Sequence, residues 1–202
     1  MSKRNLAIVI ILGLLAWPAA GSATARDGAS KFIGALSANA SRALNSGNLS
    51  LDQKENQVRA LMSEIFDLKL IGRFVLGSAW RKTPAEQRAQ YLELFEQFIL
   101  RTYSRRLGGY TGQKFDVIGA KKLGKKDVLV LTKISRPSGP PIKAGWRVRE
   151  TKNGHKILDV MVAGVSMVVT QRSEFRSVIR RRGVTGLIET LRLQVSKFSA
   201  QK

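Results

Sequence analysis

The sequence contains no cysteine and a single histidine, His155, among its 202 residues. Without thiols the chain can form no disulfide and offers no thiolate as a nucleophile or a metal ligand. One imidazole and scattered carboxylates also fall short of the ligand sets that transition-metal sites normally use. The sequence therefore excludes a disulfide-bonded scaffold, and we expect no metal centre.

Long hydrophobic runs are missing as well, apart from one near the amino terminus. Two basic residues precede residues 6–16, an apolar stretch of about a dozen residues that is shorter than the ~20 needed to span a bilayer. Ala23-Thr24-Ala25 follows with the small side chains of a signal-peptide cleavage site. We expect residues 1–25 to be a cleavable signal peptide, cut near Ala25, and residues 26–202 to form a single exported domain. An uncleaved N-terminal anchor is the alternative, and the lack of cysteine fits a bacterial periplasm.

Acidic residues are also scarce relative to basic ones. The chain has 14 Asp and Glu against 35 Lys and Arg, which gives a formal net charge of +21 at pH 7. In a cytosolic protein this excess would suggest a nucleic-acid ligand, but an exported chain meets anionic membrane surfaces and acidic proteins instead. We therefore expect no nucleic-acid partner. A generally basic proteome is the plain alternative explanation of the charge.

Helical periodicity dominates the first half of the chain. Residues 27–44 are rich in Ala and Ser with apolar residues on one face, and Ser50-Leu51-Asp52-Gln53 is a capping box for the next helix. Asp67 is placed to cap a short third helix. Thr83-Pro84-Ala85-Glu86 combines a capping residue, a first-turn proline and a capping-box glutamate. This signal predicts a long helix that runs to about Leu107.

Strand-like alternation follows, and the helical period returns only at the carboxyl end. Short, turn-rich connections between the strands indicate hairpins, so the sheet should be antiparallel. Two final helices, residues 171–182 and 185–199, are separated at Gly183. The order predicts an α+β domain with an antiparallel four-stranded curved sheet covered by a layer of helices. The predicted strands are residues 114–118, 128–134, 142–150 and 157–162.

Motifs of catalysis are incomplete. Gly164-Val165-Ser166 matches the start of a nucleophile elbow, but the closing position holds Val168 instead of glycine. A triad of Ser166, His155 and Asp159 would need three residues of one strand-turn unit to converge, which strand alternation opposes. The lysine-rich turn at residues 119–126 resembles a phosphate-binding loop but lacks its final Ser or Thr and a following helix. We expect no enzyme and no catalytic residues.

Basic side chains form one ordered set near the carboxyl end. Arg172, Arg176 and Arg180 recur every four residues and therefore share one face of a helix. A solvated helix face is one interpretation of this set. Docking to an acidic partner or an anionic headgroup is the other.

Several motifs occur in a characteristic order over about residues 30–195. They are Phe66-Asp67, Phe74-Val75-Leu76-Gly77-Ser78-Ala79-Trp80-Arg81, Thr83-Pro84-Ala85-Glu86-Gln87, Phe95, Phe98, Tyr103, Leu107, Tyr110, Asp159-Val160-Met161-Val162-Ala163-Gly164-Val165-Ser166 and Arg172-Ser173-Glu174-Phe175. In this order they resemble the MlaC family of periplasmic lipid-binding proteins, also described as toluene-tolerance auxiliary components. Two positions depart from the family pattern. This chain has Ala163 where members of the family often have an acidic residue, and Thr170-Gln171 where they often have Asn-Tyr. A related branch is associated with hopanoid gene clusters, so the resemblance leaves the lipid open between a phospholipid and a hopanoid.

The resemblance implies a deep apolar cavity between the helices and the sheet, which takes phospholipid acyl chains and needs no other cofactor. It also implies a monomer that carries lipid across the periplasm between an outer-membrane lipoprotein complex and an inner-membrane ABC transporter. The three arginines would then help the carrier to dock. The alternative is a basic periplasmic adaptor with a solid core, which binds an acidic membrane protein. We expect the cavity to be lined or bordered by Phe74, Trp80, Phe95, Phe98, Val130, Trp146, Val148, Val160, Val162 and Val165.

Overall fold

The computed structural model describes residues 20–45, 49–108, 115–135 and 139–200. Most of the expected signal peptide, Tyr110 of the family motifs and residue 114 of the first predicted strand lie outside the described residues. None of the helices in the described ranges combines the length and hydropathy that a bilayer-spanning helix needs.

Six helices form in the described part of the chain. The capping box of α2 is confirmed: Gln53 N–H donates to the Ser50 hydroxyl oxygen at 3.3 Å, and Ser50 N–H donates to Gln53 Oε1 at 2.8 Å. Asp67 caps α3, since its carboxylate accepts the Leu70 N–H at 2.9 Å. The helices are α1 (Ala20–Asn45), α2 (Leu51–Ile65), α3 (Leu68–Leu76), α4 (Ala79–Lys82), α5 (Ala85–Gly108) and α6 (Met167–Ala200).

The start of α5 differs by one residue from the prediction. The one-turn helix α4, which the sequence pattern did not predict, ends at Lys82, and two residues separate it from α5. Thr83 closes α4, because its N–H and its hydroxyl both donate to the Ala79 carbonyl, at 3.0 and 2.8 Å. Pro84 therefore precedes the first helical residue, and its carbonyl accepts the Arg88 N–H at 3.0 Å.

The sheet is an antiparallel meander in the order β1-β2-β3-β4-β5. The α+β architecture and the antiparallel pairing are confirmed, but a fifth strand joins the four that were predicted. This strand has two residues, which is too short for alternation to reveal, and Val165 in it pairs with Val162. Bulges near Ile118 and Leu158 interrupt the register, and bulges bend a sheet. The strands are β1 (Phe115–Leu123), β2 (Asp127–Ile134), β3 (Ile142–Thr151), β4 (Gly154–Val162) and β5 (Val165–Ser166).

Other boundaries are also corrected, and β4 begins at Gly154, three residues before its predicted start. Strand β1 extends to Leu123, so the predicted lysine-rich turn shrinks to residues 124–126. Helix α6 begins at Met167, four residues before the predicted start, and Gly183 interrupts it as predicted. The φ of +66° and ψ of −175° at Gly183 lie in a region that is essentially restricted to glycine.

The hydrophobic core is divided into two clusters. The first joins α2, α3, α5 and α6 around Tyr91, Phe95 and Phe175, whose rings contact one another at centroid distances of 5.7 to 6.4 Å. The second packs α1 against the sheet, with Ile33 and Ile157 fully buried. A divided core leaves room between its halves.

Candidate functional site

An apolar cavity of about 440 Å³ lies between the two core clusters. Its volume falls within the range of ligand pockets, roughly 300–1,000 Å³. The helical side contributes residues of α2, α3, α5 and the first turns of α6, and the opposite side contributes residues of α1 and of strands β1 to β4. The apolar lining includes Leu36, Val58, Leu61, Met62, Ile65, Phe66, Leu68, Ile71, Val75, Phe95, Ile99, Phe115, Ile134, Ile142, Ala144, Trp146, Val160, Val162, Met167 and Val168.

Helical and strand periods bring these side chains together. Leu68, Ile71 and Val75 are spaced three and four residues apart, so they form one face of α3. On the sheet, Trp146 is paired with Val160 and Ala144 with Val162. Because residues two apart along a strand share a face, these four side chains form one continuous apolar surface.

A few polar residues also line the cavity. Arg106 is exposed, and its guanidinium lies 5.6 Å from the centre of the Tyr103 ring. Burial raises the pKa of the Tyr103 phenol, with the nearby Glu174 and Asp159 carboxylates adding to the shift and Arg106 opposing it. The phenol therefore remains a hydrogen-bond donor at neutral pH. The polar lining residues are Ser41, Gln57, Tyr103, Arg106, Asp159 and Gln171.

Ser166 and Asp159 meet, contrary to the expectation that strand geometry separates them. The β4–β5 hairpin brings them together, and the Ser166 hydroxyl donates to Asp159 Oδ2 at 2.5 Å. Both side chains also accept backbone N–H groups of α6, Asp159 from Val168 at 3.1 Å and Ser166 from Val169 at 3.0 Å. This arrangement caps the helix and explains why α6 begins at Met167.

The single histidine takes no part in that cap. The His155 ring stacks on Phe32 of α1 at a centroid distance of 5.6 Å, and it is half-buried there. The described ranges hold no group of three or more His, Asp or Glu side chains that could bind a metal ion. The lining is apolar apart from the six polar residues. We call the exposed Gln57 and Arg106, together with Tyr103 beside Arg106, the polar edge of the cavity.

The predicted lipid-binding residues fall into separate places. Val130 and Val148 are fully buried in the cluster between α1 and the sheet, and Phe98 packs against the helical cluster. Those in the cavity lining are Phe95, Trp146, Val160 and Val162.

The other three predicted residues also lie outside the cavity lining, with Phe74 and Val165 exposed and Trp80 half-buried. Phe74 and Trp80 line a second, shallow pocket on the outer side of α3 and α4. Val165 is 54% exposed beside Val162, its partner in the sheet. Direct contact of any of these residues with a lipid stays a prediction.

Much of the lining was not singled out from the sequence. Met62, Ile71 and Val75 belong to regular helical faces, and periodicity alone does not distinguish a face that fills a core from one that borders a cavity. Tyr103 and Arg106 are one turn apart on α5, but their relation to the cavity depends on the sheet opposite them. The signal for a cavity at this place was the family resemblance, which does not single out these residues.

The three predicted docking arginines differ in their surroundings. Arg172 is half-buried, with its Cζ 4.7 Å from the centre of the Phe74 ring. Arg176 and Arg180 are exposed on the same helix. Because α6 begins at Met167, Arg172 lies in its second turn and not at its start.

A helical layer over an antiparallel sheet with an apolar cavity between them defines a binding domain for an apolar ligand. The family model of the MlaC protein matches residues 35–193. The chain therefore belongs to the MlaC family, as its motifs predicted.

Two known proteins are similar to this chain. The chain is 28% identical over 135 residues to the intermembrane phospholipid transport system binding protein MlaC of Haemophilus influenzae. That match covers 65% of this chain and 63% of the relative, so it spans less than two thirds of the relative's length. The fold is shared with the phospholipid-binding protein of Ralstonia solanacearum, solved in complex with a phospholipid, at a TM-score of 0.70 and 23% identity. The superposition covers 87% of this chain and 98% of that protein.

Proposed function

We propose that the protein is a periplasmic carrier that encloses the acyl chains of a phospholipid in the cavity between its two core clusters. The observation that carries the proposal is the cavity itself, about 440 Å³ with a lining that is apolar except at a few positions. Membership of the MlaC family and the phospholipid in the Ralstonia relative point to the same ligand class. A hopanoid is the alternative ligand for the same apolar space.

Enclosure is what the physical chemistry of such a cargo requires. Burial of a methylene stabilises by about 0.8 kcal/mol, so an acyl chain of roughly 16 carbons in water costs more than about 10 kcal/mol. A carrier has to cover that surface, whereas the headgroup can remain hydrated. A solid-cored adaptor, the alternative function, fits poorly with a core that is divided by a cavity of this size.

The polar edge of the cavity suits the headgroup. Arg106 is exposed and supplies a cation, and the protonated phenol of Tyr103 beside it supplies a hydrogen-bond donor. A lipid phosphate accepts from both kinds of group. In the proposed complex the phosphate lies near Arg106 and the acyl chains extend towards Phe95 and Trp146.

Transport adds partners and a compartment to this proposal. Residues 1–25 direct export to the periplasm, and the carrier exchanges lipid with an outer-membrane lipoprotein complex and an inner-membrane ABC transporter. Arg176 and Arg180 are exposed and form the docking face of α6. No catalytic role is proposed for Ser166, because its hydroxyl is engaged with Asp159 and the Val169 N–H.

The test of cargo binding is the lipid that accompanies the purified protein. Mass spectrometry of an organic extract should find about one phospholipid per protein molecule. Val160→Trp places a large side chain in the cavity lining and should reduce the bound lipid strongly. Val169→Trp is the matched control, because Val169 is 56% exposed and is not among the lining residues.

Two results would contradict the carrier proposal. One is a wild-type protein that is free of lipid and takes none up from vesicles. The other is a Val160→Trp variant that folds and retains as much lipid as the Val169→Trp control.

Docking through α6 has its own test. Arg176→Glu combined with Arg180→Glu should slow lipid transfer to the purified transporter at low salt by about tenfold or more, because opposite charges accelerate association. Arg192→Glu with Lys197→Glu changes the charge by the same amount on the second half of α6, where both residues are exposed. Equal transfer rates for the two double variants would show that docking uses another face.

A further inference from the structure

A second pocket lies on the outer surface of α3 and α4, where they meet α6. It combines three guanidinium groups, from Arg73, Arg81 and Arg172, with the aromatic rings of Phe74 and Trp80. The cavity described above lies on the opposite side of the same short helix, since Ile71 and Val75 line it. Helix α3 thus separates an internal apolar cavity from an external basic and aromatic surface.

Packing holds the arginines of this surface in place. The Arg172 guanidinium lies over the Phe74 ring at 4.7 Å and against Gly77, where a Cβ would come within 3.2 Å of Nε and Nη2. Arg73 and Arg88 lie 5.6 and 5.1 Å from the centre of the Trp80 ring. Guanidinium groups stacked on aromatic faces keep their N–H edges available for an anion.

The charge of this surface is not balanced by neighbouring carboxylates. Residues 68–82 include four cations and no acidic residue. Ion pairs in the described ranges involve Arg147, Arg149 and Arg182, and none involves the three arginines of the pocket. These arginines therefore attract a ligand with negative charge.

Exposed apolar side chains accompany the arginines. Phe74 is 42% exposed and Leu70 is 36% exposed on the same face of α3. Arginine beside exposed aromatic and aliphatic side chains is the composition of surfaces that bind anionic bilayers, because cations contact phosphates while apolar groups enter the interfacial layer. An acidic segment without apolar side chains would satisfy only the first half of this composition.

We propose that the outer surface of α3 and α4, together with Arg172, binds the anionic headgroups of a lipid bilayer. Contact there would bring the wall of the internal cavity, formed by the other face of α3, against the membrane. Bilayer binding by this surface does not depend on whether the cavity holds a lipid. Only the role of this contact, which is to exchange lipid with the membrane, rests on the proposed carrier function.

Sedimentation with vesicles tests the proposal. The protein should bind vesicles of phosphatidylcholine with phosphatidylglycerol and should bind pure phosphatidylcholine vesicles weakly. Arg73→Gln with Arg81→Gln, both exposed positions, should weaken binding roughly thirtyfold, the effect expected for two cations at an anionic surface. Phe74→Ser should weaken it with no change in charge. Lys125→Gln with Lys126→Gln is the control, because it removes two exposed charges from the β1–β2 turn and should change binding less than threefold.

Several outcomes would overturn the proposal. Equal losses in the arginine and lysine double variants would indicate general charge attraction, and unchanged binding in Phe74→Ser would exclude apolar insertion. If the protein bound polyglutamate through the same residues and did not bind vesicles, the occupant would be an acidic protein. Competition by inorganic phosphate alone would identify a small-anion site. Extracted lipid, measured on the same variants, separates this result from the carrier proposal. The Arg73→Gln, Arg81→Gln variant should retain its lipid, and Val160→Trp should still bind vesicles.

Discussion

At the scale of single residues, Asp127 at the start of β2 is a buried charge with two partners. Its side chain is 2% exposed and bonds two arginines of the neighbouring strand: Oδ2 is 2.5 Å from Arg147 Nη2, and Oδ1 is 2.5 Å from Arg149 Nε. Burial alone would raise the pKa of this carboxyl, but the hydrogen bonds from Arg149 and Arg147 outweigh burial and lower the pKa. The folded state thus favours the ionised carboxylate.

The pH dependence of stability follows from that direction. Because the pKa of Asp127 is lower in the folded protein than in the unfolded chain, the stabilisation is complete above the unfolded value of about 4. It is lost as the pH falls through the folded pKa. Asp127→Asn should reduce the free energy of unfolding at pH 7 by about 1–3 kcal/mol and should flatten its decline in acid.

Urea unfolding measured from neutral pH to about pH 3 checks this prediction. Asp116→Asn is the control, because Asp116 is exposed on the adjacent strand β1 and should leave the unfolding free energy nearly unchanged. A wild-type protein and an Asp127→Asn variant with parallel pH profiles would show that the two arginines do not couple to this carboxylate.

At the scale of elements, α3 is fixed to α5 by close packing and one buried hydrogen bond. The Tyr91 hydroxyl donates to the Gly72 carbonyl at 2.9 Å, and burial raises the pKa of this phenol, so it remains a donor. A Cβ at Gly72 would lie 2.9 Å from both Leu92 Cδ2 and Phe95 Cδ1. The absence of a side chain at Gly72 therefore sets the distance between the helices that border the cavity.

Alanine at two helical glycines should have opposite effects. Gly72→Ala should destabilise by about 1–3 kcal/mol, because the buried Phe95 ring cannot move aside easily. Gly34→Ala in α1 meets no atom within 4 Å and should stabilise by up to about 1 kcal/mol through helix propensity. Thermal and urea unfolding of both variants measure the difference. Equal changes of the same sign would show that helix propensity, and not close packing, dominates at Gly72.

The elements also show which features a sequence can specify. Local signals such as the Ser50 capping box, the Asp67 cap and the break at Gly183 involve residues within one turn, and each was predicted correctly. Helix α4 and strand β5 are too short to show a helical or strand period in the sequence. The meeting of Ser166 with Asp159 depends on a hairpin that re-enters the sheet, which strand alternation alone does not reveal.

The cavity could not be predicted from periodicity, for a physical reason. Ile71 next to the cavity and Leu187 within the helical cluster are both buried apolar residues on helices, and they differ only in what fills the space opposite. Periodicity reports that a face avoids water. It does not report whether protein or ligand covers it, so the cavity was expected from the family resemblance.

At the scale of the whole molecule, the divided core links ligand binding to stability. The helical cluster and the cluster on the sheet meet across a cavity of about 440 Å³, and each loses packing contacts where that space is empty. Close contact between the halves is made by Phe66, which packs against both clusters, and by the Asp67 N–H, which donates to the Ile157 carbonyl at 3.1 Å. A bound acyl chain would complete the packing.

Removal of the lipid should therefore lower the melting temperature of the protein. A ligand at a hundred times its Kd stabilises by about 2.7 kcal/mol, which corresponds to a shift of roughly 5–10 °C for a domain of this size. Differential scanning calorimetry of the native, delipidated and relipidated protein measures that shift. Val160→Trp should melt at the same temperature with and without added lipid, since the new indole occupies the space, whereas Val169→Trp should respond like the wild type. If the delipidated wild-type protein melted unchanged, or if Val160→Trp kept the full response, the cavity would not be where the lipid contributes to stability.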